Sequence, residues 1–541
     1  MKAEEKNIGQ VLTEQFRYEI PAYQRPYSWE SEHVLDLLQD VEESYDKADK
    51  EYFIGSLITI ERKTNEIYEV VDGQQRLTTL NLIFARLKEK IENADAKQEI
   101  GKRILPRNPL TGQIETPRLS LRKRDQSFFR DHVLEAKVFD ITKLGELDAP
   151  KSKMVRNIET VDTFLKDRSQ DWLKLFANYI LQNVYVVMVK TESFQSAYRL
   201  FKVLNARGLD LANADLIKNQ LFCKLNENDP RRDELEELWV ELEETADIDN
   251  LDTFLGNHRT ALVAEKARKS LAEEFETIIL NDTGSPIDYL KRLIGSAENY
   301  DKINNNDFTD STSLRCLAAL KRVSYDEWIP ALLAYLNKPV VGLTEADFLN
   351  LLEKITMQNW VRRLGRTKRN TIYYRLITAI NKGENADQIK KIFREAANNA
   401  EVFNLLQGDV YGTTSAQAIL LRLEEGMLDL SVTKSYGGLL SIEHVLPQAL
   451  KDEYWIQRFT PEQHQQWLNK LGNITLLCGK KNSKAQYFAF PKKKEIYLKR
   501  NEKVSFDMTK EICNEADWDI EQIETRQKRF LEVAEKLWKI D

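Results

Sequence analysis

Ser441-Ile442-Glu443-His444-Val445-Leu446-Pro447-Gln448, then Leu471-Gly472-Asn473-Ile474-Thr475-Leu476-Leu477, then Asn482-Ser483-Lys484, follow one another near the end of the chain. The first two runs are apolar and β-rich, and Pro447 ends the first of them. Asn482 stands where a helix can open. The pattern predicts strand, loop, strand, helix, with Glu443 and His444 closing the first strand. An imidazole changes protonation near neutral pH, so His444 can take a proton from water. The Glu443 carboxylate and the Asn482 side-chain carbonyl offer the oxygen ligands that a hard cation such as Mg²⁺ prefers. Asn473 is placed to orient the His444 ring or to brace the loop that carries it. His33, His132, His258 and His464 lack such company and receive no role.

With 541 residues, the chain exceeds one ordinary domain. Its 42% hydrophobic and 30% charged residues suit a globular protein with normal cores. No apolar run approaches the roughly 20 residues that span a bilayer. The start, Met1-Lys2-Ala3-Glu4-Glu5-Lys6, has no apolar signal region. Cys223, Cys316, Cys478 and Cys513 are far apart, without a CxxC pair, and read as reduced thiols. The expectation is a cytoplasmic protein with no membrane partner. A net charge of −7 argues against a purely electrostatic DNA binder, but local charge differs. Lys480 to Arg500 holds eight basic residues and one acid, and Arg362 to Arg375 holds six basic residues and no acid. A solvated helix face is the ordinary explanation of such runs. Two of them, one overlapping the candidate site, point toward a phosphate backbone.

Upstream, Phe16 to Glu30 carries Pro21 and Pro26 and reads as extended. Tyr23, Gln24 and Arg25 within it can stack a base or grip a phosphate, although composition alone favours a packing arm. Ser31 is the expected cap of the next helix. Tyr52 to Ile60 and Ile67 to Val71 read as strands. Asp72-Gly73-Gln74-Gln75-Arg76 follows the second, and a helix with Leu77, Leu80, Ile83, Phe84 and Leu87 on one face comes next. Strand, glycine turn and helix aim backbone N–H groups at an anion, with a plain turn as the ordinary alternative. Asn183 to Lys190 is a further strand. Ser193 to Leu204 reads as an amphipathic helix ending in Asn205-Ala206-Arg207-Gly208, and Ala214 to Leu225 as the next helix.

Between residues 230 and 400 glycine is sparse and helical patterns succeed one another, as in Leu235 to Leu242, Ala261 to Ile279, Leu314 to Val323, Phe348 to Leu364 and Ile389 to Ala400. The expected organisation is an α/β domain over 1–225, a helical connector over 226–402 and the metal-and-histidine domain over 403–541. The fold class is α+β, predominantly helical.

Glu443-His444-Val445-Leu446-Pro447, Leu471-Gly472-Asn473 and Asn482 resemble the HNH (ββα-metal) nuclease signature in a His-Asn-Asn variant. More closely, they resemble the C-terminal half of GmrSD-type (type IV) restriction enzymes, whose relatives include BrxU-like and SspE-like enzymes. Ile20 to Trp29, Phe53-Ile54-Gly55-Ser56, Val71 to Leu80 and Phe201 to Phe222 resemble the N-terminal half of the same family. The resemblance implies a ParB/sulfiredoxin-like N-terminal fold that binds and hydrolyses a nucleoside triphosphate at Asp72, Gly73, Gln74, Gln75 and Arg76, with Tyr23, Gln24 and Arg25 nearby. It also implies a defence enzyme that cuts double-stranded phage DNA, often modified. Two departures stand out. Asn482 replaces the usual third histidine, and Glu443 precedes His444 where many relatives have Asp. Both retain an oxygen ligand, so Mg²⁺ or Mn²⁺ is expected over a tight transition-metal site.

The sequence therefore predicts a metal-dependent DNA endonuclease. His444 is the general base, Glu443 and Asn482 hold the metal, and Asn473 supports the base. A rival reading is a nucleotide-gated DNA-binding sensor with a vestigial nuclease domain. A weaker one is an NTPase switch acting on a partner protein. Oligomeric state stays open, with a homodimer as one option.

Overall fold

The computed structural model describes residues 2–541 apart from 14, 22–23, 25, 63–66, 109, 192–212, 227–228, 248–249, 283, 430–431, 433, 435–438, 479–480, 482–483 and 499–505. Tyr23, Arg25, the Ser193 to Leu204 run, the Asn205 to Gly208 turn and Asn482 therefore lie outside the described residues. Contacts divide the chain into two compact units, Met1–Arg232 and Asp233–Asp541.

The first unit is built on a mixed sheet of six strands: β1 (Lys2–Asn7), β2 (Arg17–Glu19), β3 (Tyr52–Arg62), β4 (Ile67–Asp72), β5 (Leu119–Ser120) and β6 (Val184–Thr191). Their spatial order is β1-β6-β3-β4-β2-β5. β3 pairs antiparallel with β4 and parallel with β6. Successive side chains of a strand take opposite faces. Leu57 accordingly joins the large core of this unit, with Val70, Val186 and Met188. Ile58 and Ile60 join a smaller core on the other face, with Val71 and Val189. Burial on both faces explains why β3 reads as a nearly continuous apolar run. The Gln74–Lys90 helix buries Leu77, Leu80, Ile83, Phe84 and Leu87, the stripe its sequence predicts.

Ser31 does not cap the following helix. Glu30 occupies the cap position, and Ser31 Oγ instead donates to Asn157 Oδ1 at 3.2 Å. A tertiary partner has displaced a local one.

Two glycines fix the turn between β4 and the Gln74–Lys90 helix. Gly73 has φ +92° and Gly55 has φ +106°. Gly55 sits where the β3·β6 register shifts, between Phe53 and Ser56. A Cβ there would overlap Arg76 Nη1, which donates to the Ile54 carbonyl at 2.6 Å.

The second unit begins with helices. The single helix expected over Ala261 to Ile279 is two, Leu251–Val263 and Leu271–Asn281. Ala264 takes a left-handed conformation (φ 56°) that ends the first, and a Ser270/Glu273 capping box starts the second. A charged run, Glu265 to Ser270, lies between them and cannot continue the apolar stripe. β7 (Leu440–His444) and β8 (Ile474–Cys478) then form an antiparallel hairpin, with Glu443 opposite Thr475 and His444 opposite Ile474. A 3₁₀ turn, Leu471–Asn473, leads into β8. Met357 and Trp360 of the Glu345–Val361 helix share one core with Ile474 and Leu476 of the hairpin and Phe530, Ala534 and Trp538 of the last helix, Ile520–Trp538. The helical stretch and the hairpin are thus built on common apolar ground.

The last helix seats the 3₁₀ turn. A Cβ on Gly472 would overlap the Ile523 carbonyl oxygen, so only glycine permits this approach. Gly472 N donates to Gln527 Oε1 at 2.7 Å. Arg526 Nη1 donates to the carbonyls of Leu471, Gly472 and Ile474 at 3.2, 3.0 and 2.7 Å.

Gly55→Ala is expected to destabilise the N-terminal unit by about 1–2 kcal/mol from the backbone alone, and by more once Arg76 is displaced. Thermal unfolding of the full chain followed by circular dichroism measures it.

Candidate active site

The end of β7 brings Glu443 and His444 to one cavity of about 300 Å³, also lined by Tyr411, Pro447, Gln448 and Tyr487. The pleat separates their side chains. His444 turns toward Tyr411 and Asn469, whereas Glu443 turns toward the Phe490–Tyr497 helix.

His444 is 6% exposed. Its Nε2 lies 3.2 Å from Asn469 Oδ1, and the Tyr411 ring meets the imidazole edge-on with centroids 4.1 Å apart. Burial pushes the His444 imidazole down to about 4, with the Asn469 hydrogen bond acting against that shift. The ring is therefore neutral at physiological pH, the state that can accept a proton.

Asn473 does not touch the His444 ring. Its Oδ1 accepts from Leu446 N at 2.7 Å, and its Nδ2 donates to Leu446 O at 3.0 Å and Leu468 O at 2.9 Å. Its own carbonyl accepts from Val445 N at 2.9 Å. Of the two roles open to it in the sequence, the geometry is that of a brace on the loop after His444. His464, given no role in the sequence reading, has its Nε2 2.8 Å from the Pro447 carbonyl and so touches the same loop.

Glu443 is buried, and its Oε1 accepts from Lys493 Nζ at 2.8 Å and Tyr497 Oη at 3.0 Å. Lys493 Nζ also donates to the His444 carbonyl at 2.6 Å. Burial pushes the Glu443 carboxyl up and the Lys493 ammonium down, while their attraction opposes both shifts. A divalent cation approaching this carboxylate meets an ammonium on one oxygen, which leaves the second oxygen for ligation. Asn482, the other proposed ligand, is not among the described residues. Those residues contain no group of three or more His, Cys, Asp or Glu able to hold a metal ion. A carboxylate oxygen and an amide oxygen still suit a hard cation that keeps several waters.

Sequence reading missed Asn469, Tyr411, Lys493 and Tyr497. Lys493 and Tyr497 are spaced i, i+4 and so share one helix face. In the sequence that spacing is masked by the run of basic residues around it. The flank is partly turned inward: Lys481 Nζ donates to Tyr497 O at 2.8 Å, and Lys493 is fully buried. The Arg362 to Arg375 cluster is partly neutralised, with three carboxylates set against its six basic residues. Arg362 pairs with Glu401, Arg366 and Arg369 with Glu327, and Arg375 with Glu395.

In the N-terminal unit, Asp72 Oδ2 accepts from Ser56 Oγ at 2.8 Å and lies 3.5 Å from Arg76 Nη2. Gly73 caps the helix, and the first-turn N–H groups of Gln74, Gln75 and Arg76 have no carbonyl four residues back within it. Gln24 and Gln75 serve the arm. Gln24 Nε2 donates to Val71 O at 2.8 Å; Gln75 Nε2 donates to Pro26 O at 3.1 Å, and its Oε1 accepts from Ser28 N at 2.9 Å. Gln74 is buried beside them.

His258 is buried as well and is pushed down to about 4 by that burial. Between pH 6.5 and 4 the unfolded chain takes up protons at His258 and His444 that the folded chain refuses. The contribution of these two groups to stability is therefore full above pH 6.5 and falls as pH drops, by about 1.4 kcal/mol per pH unit for each histidine. His444→Gln should roughly halve this part of the slope in urea unfolding measured across that window.

Residues 8–222 match the family described as GmrSD restriction endonuclease, N-terminal domain. Residues 381–533 match GmrSD restriction endonucleases, C-terminal domain. A search of curated proteins finds no match. No helix among the described residues is long and apolar enough to cross a membrane. The C-terminal match contains the whole His444 cavity, the N-terminal match contains the Asp72 to Arg76 loop, and the chain belongs to the GmrSD restriction endonuclease family.

Proposed function

We propose that this restriction endonuclease is a metal-dependent, modification-dependent (type IV) enzyme of anti-phage defence, with an HNH-type C-terminal site and a nucleotide-binding, ParB/sulfiredoxin-like N-terminal domain. The observation that carries the reading is the His444 imidazole on the wall of the 300 Å³ cavity, with Asn469 Oδ1 3.2 Å from its Nε2 and Glu443 lining the same cavity. His444 takes the proton of the attacking water as general base. Asn473 keeps the loop after β7 in place, and Lys493 fixes the main chain of His444 itself. Glu443 and Asn482 would hold Mg²⁺ or Mn²⁺, which when bound stabilises charge on the phosphate and on the leaving 3′-oxygen. Double-stranded phage DNA is the substrate, and a cytoplasmic setting and a homodimer belong to the same proposal.

His444→Ala should abolish cutting of plasmid and of glucosylated-cytosine or phosphorothioate DNA in Mg²⁺ while leaving the melting temperature close to wild type. Undiminished cutting removes His444 from the mechanism. Lys493 on Glu443 favours the rival reading, a nucleotide-gated DNA-binding sensor with a vestigial nuclease. DNA binding by wild-type protein without any cutting across divalent metals would establish that rival.

At the other end, the Gln74–Lys90 helix start and Arg76 would receive the phosphates of a nucleoside triphosphate. Gln24 and Gln75 would belong to the same site, with Tyr23 and Arg25 as further candidate nucleotide contacts, and Asp72 would hold its cation or water. Calorimetric titration of wild type with ATP and GTP in Mg²⁺ should show saturable binding that Asp72→Ala weakens at least tenfold. A flat titration with both nucleotides sinks this part of the proposal.

A further inference from the structure

We infer that Asn469 is the positioning residue of His444. Its side-chain oxygen holds the imidazole as the Nε2–H tautomer and leaves Nδ1 as the nitrogen that accepts the water's proton. This rests on the general-base reading of His444.

A neutral imidazole carries one N–H, and the nitrogen facing an acceptor keeps it. Asn469 Oδ1 faces Nε2 at 3.2 Å. The lone pair therefore sits on Nδ1. Ring position is fixed from one further direction, and the main chain that carries Asn469 is itself held. The Tyr411 ring packs edge-on against the imidazole at an interplanar angle of 61°. The Asn469 backbone oxygen accepts from Val410 N at 2.9 Å and Tyr411 N at 3.0 Å, which ties the two ring contacts to each other. Asn473 Nδ2 holds the carbonyl of Leu468, the residue before Asn469, at 2.9 Å. Asn469 thus stands on a main chain pinned on both sides, and its amide is the group that sets the rotation of His444 in its own plane. In the reaction the proton passes from water to Nδ1. The hydroxide oxygen bonds to phosphorus as the bond to the 3′-oxygen breaks, and that oxygen leaves with the electron pair. The resulting imidazolium keeps its Nε2–H on Asn469.

Full-length protein with isotope-labelled histidine gives the tautomer directly by NMR, with His444 assigned through its loss in His444→Ala. The expected pattern is Nε2–H, and an Nδ1–H pattern overturns the inference. Asn469→Leu should lower turnover at saturating DNA on the order of 10–100-fold with KM and melting temperature near wild type, because the backbone contacts of Asn469 remain. Asn469→Asp keeps an oxygen facing Nε2 and should retain most of the turnover. Wild-type turnover in Asn469→Leu overturns the inference, as does an equal loss in Asn469→Asp. Should Asn469→Leu melt early, the wild-type tautomer and the Asn469→Asp turnover decide. Undiminished cutting by His444→Ala overturns the general-base reading, whereas an inactive His444→Ala beside a fully active Asn469→Leu overturns the Asn469 inference alone.

Discussion

The amide of Asn473 closes on both backbone groups of Leu446. That contact governs the C-terminal unit because a buried, unpaired backbone group costs about 1–3 kcal/mol, and here two are satisfied by one side chain. It also links everything that surrounds His444. Asn473 lies in the 3₁₀ turn that the last helix seats through Gly472, Gln527 and Arg526. Beyond Leu446 the same loop receives His464 on Pro447. Trp538 of the last helix also donates to Glu353 Oε1 at 3.1 Å, so the last helix and the Glu345–Val361 helix share a buried polar contact as well as a core.

Burial decides the electrostatics more than net charge does. The two basic stretches look like phosphate-binding surface, yet much of their charge is already answered inside the second unit. Lys493 is spent on Glu443, Lys481 on a carbonyl, and Arg362, Arg369 and Arg375 on neighbouring carboxylates. Surface ion pairs contribute little to stability, but they do remove positive potential from that face. The consequence for His444 is a ring kept neutral by desolvation, next to a cavity whose carboxylate is already balanced by an ammonium.

The first unit follows a different logic. Its proline-containing arm is held by side chains from outside it. Gln24, Gln75 and the Tyr27 hydroxyl, 2.8 Å from Thr79 Oγ1, fasten it to β4 and the following helix. Asn157 completes the attachment by donating to Tyr27 Oη and Trp29 O at 3.0 and 2.8 Å. The arm and the start of the Gln74–Lys90 helix are therefore fastened to each other, with Gln75 engaged in holding the arm.

Local patterns in the sequence were enough for β3, β4, β6, the Gln74–Lys90 helix and the β7–β8 hairpin, because alternation, helical spacing and turn residues act over a few positions. The same locality made Glu443, His444 and Asn473 legible as a set and gave Gly73 its turn. What the chain could not announce was pairing at a distance. Asn469 meets His444 across 25 residues and Lys493 meets Glu443 across 50. Asn469 reads as a polar loop residue, and Lys493, despite its i, i+4 spacing from Tyr497, as a solvated charge. Ser31 shows the reverse case, a good local cap taken by Asn157. Sequence alone thus determined most of the regular elements around the candidate site and singled out His444 among the histidines. Only the tertiary structure decided which side chains hold that histidine, because burial and hydrogen-bond satisfaction are properties of the packed chain.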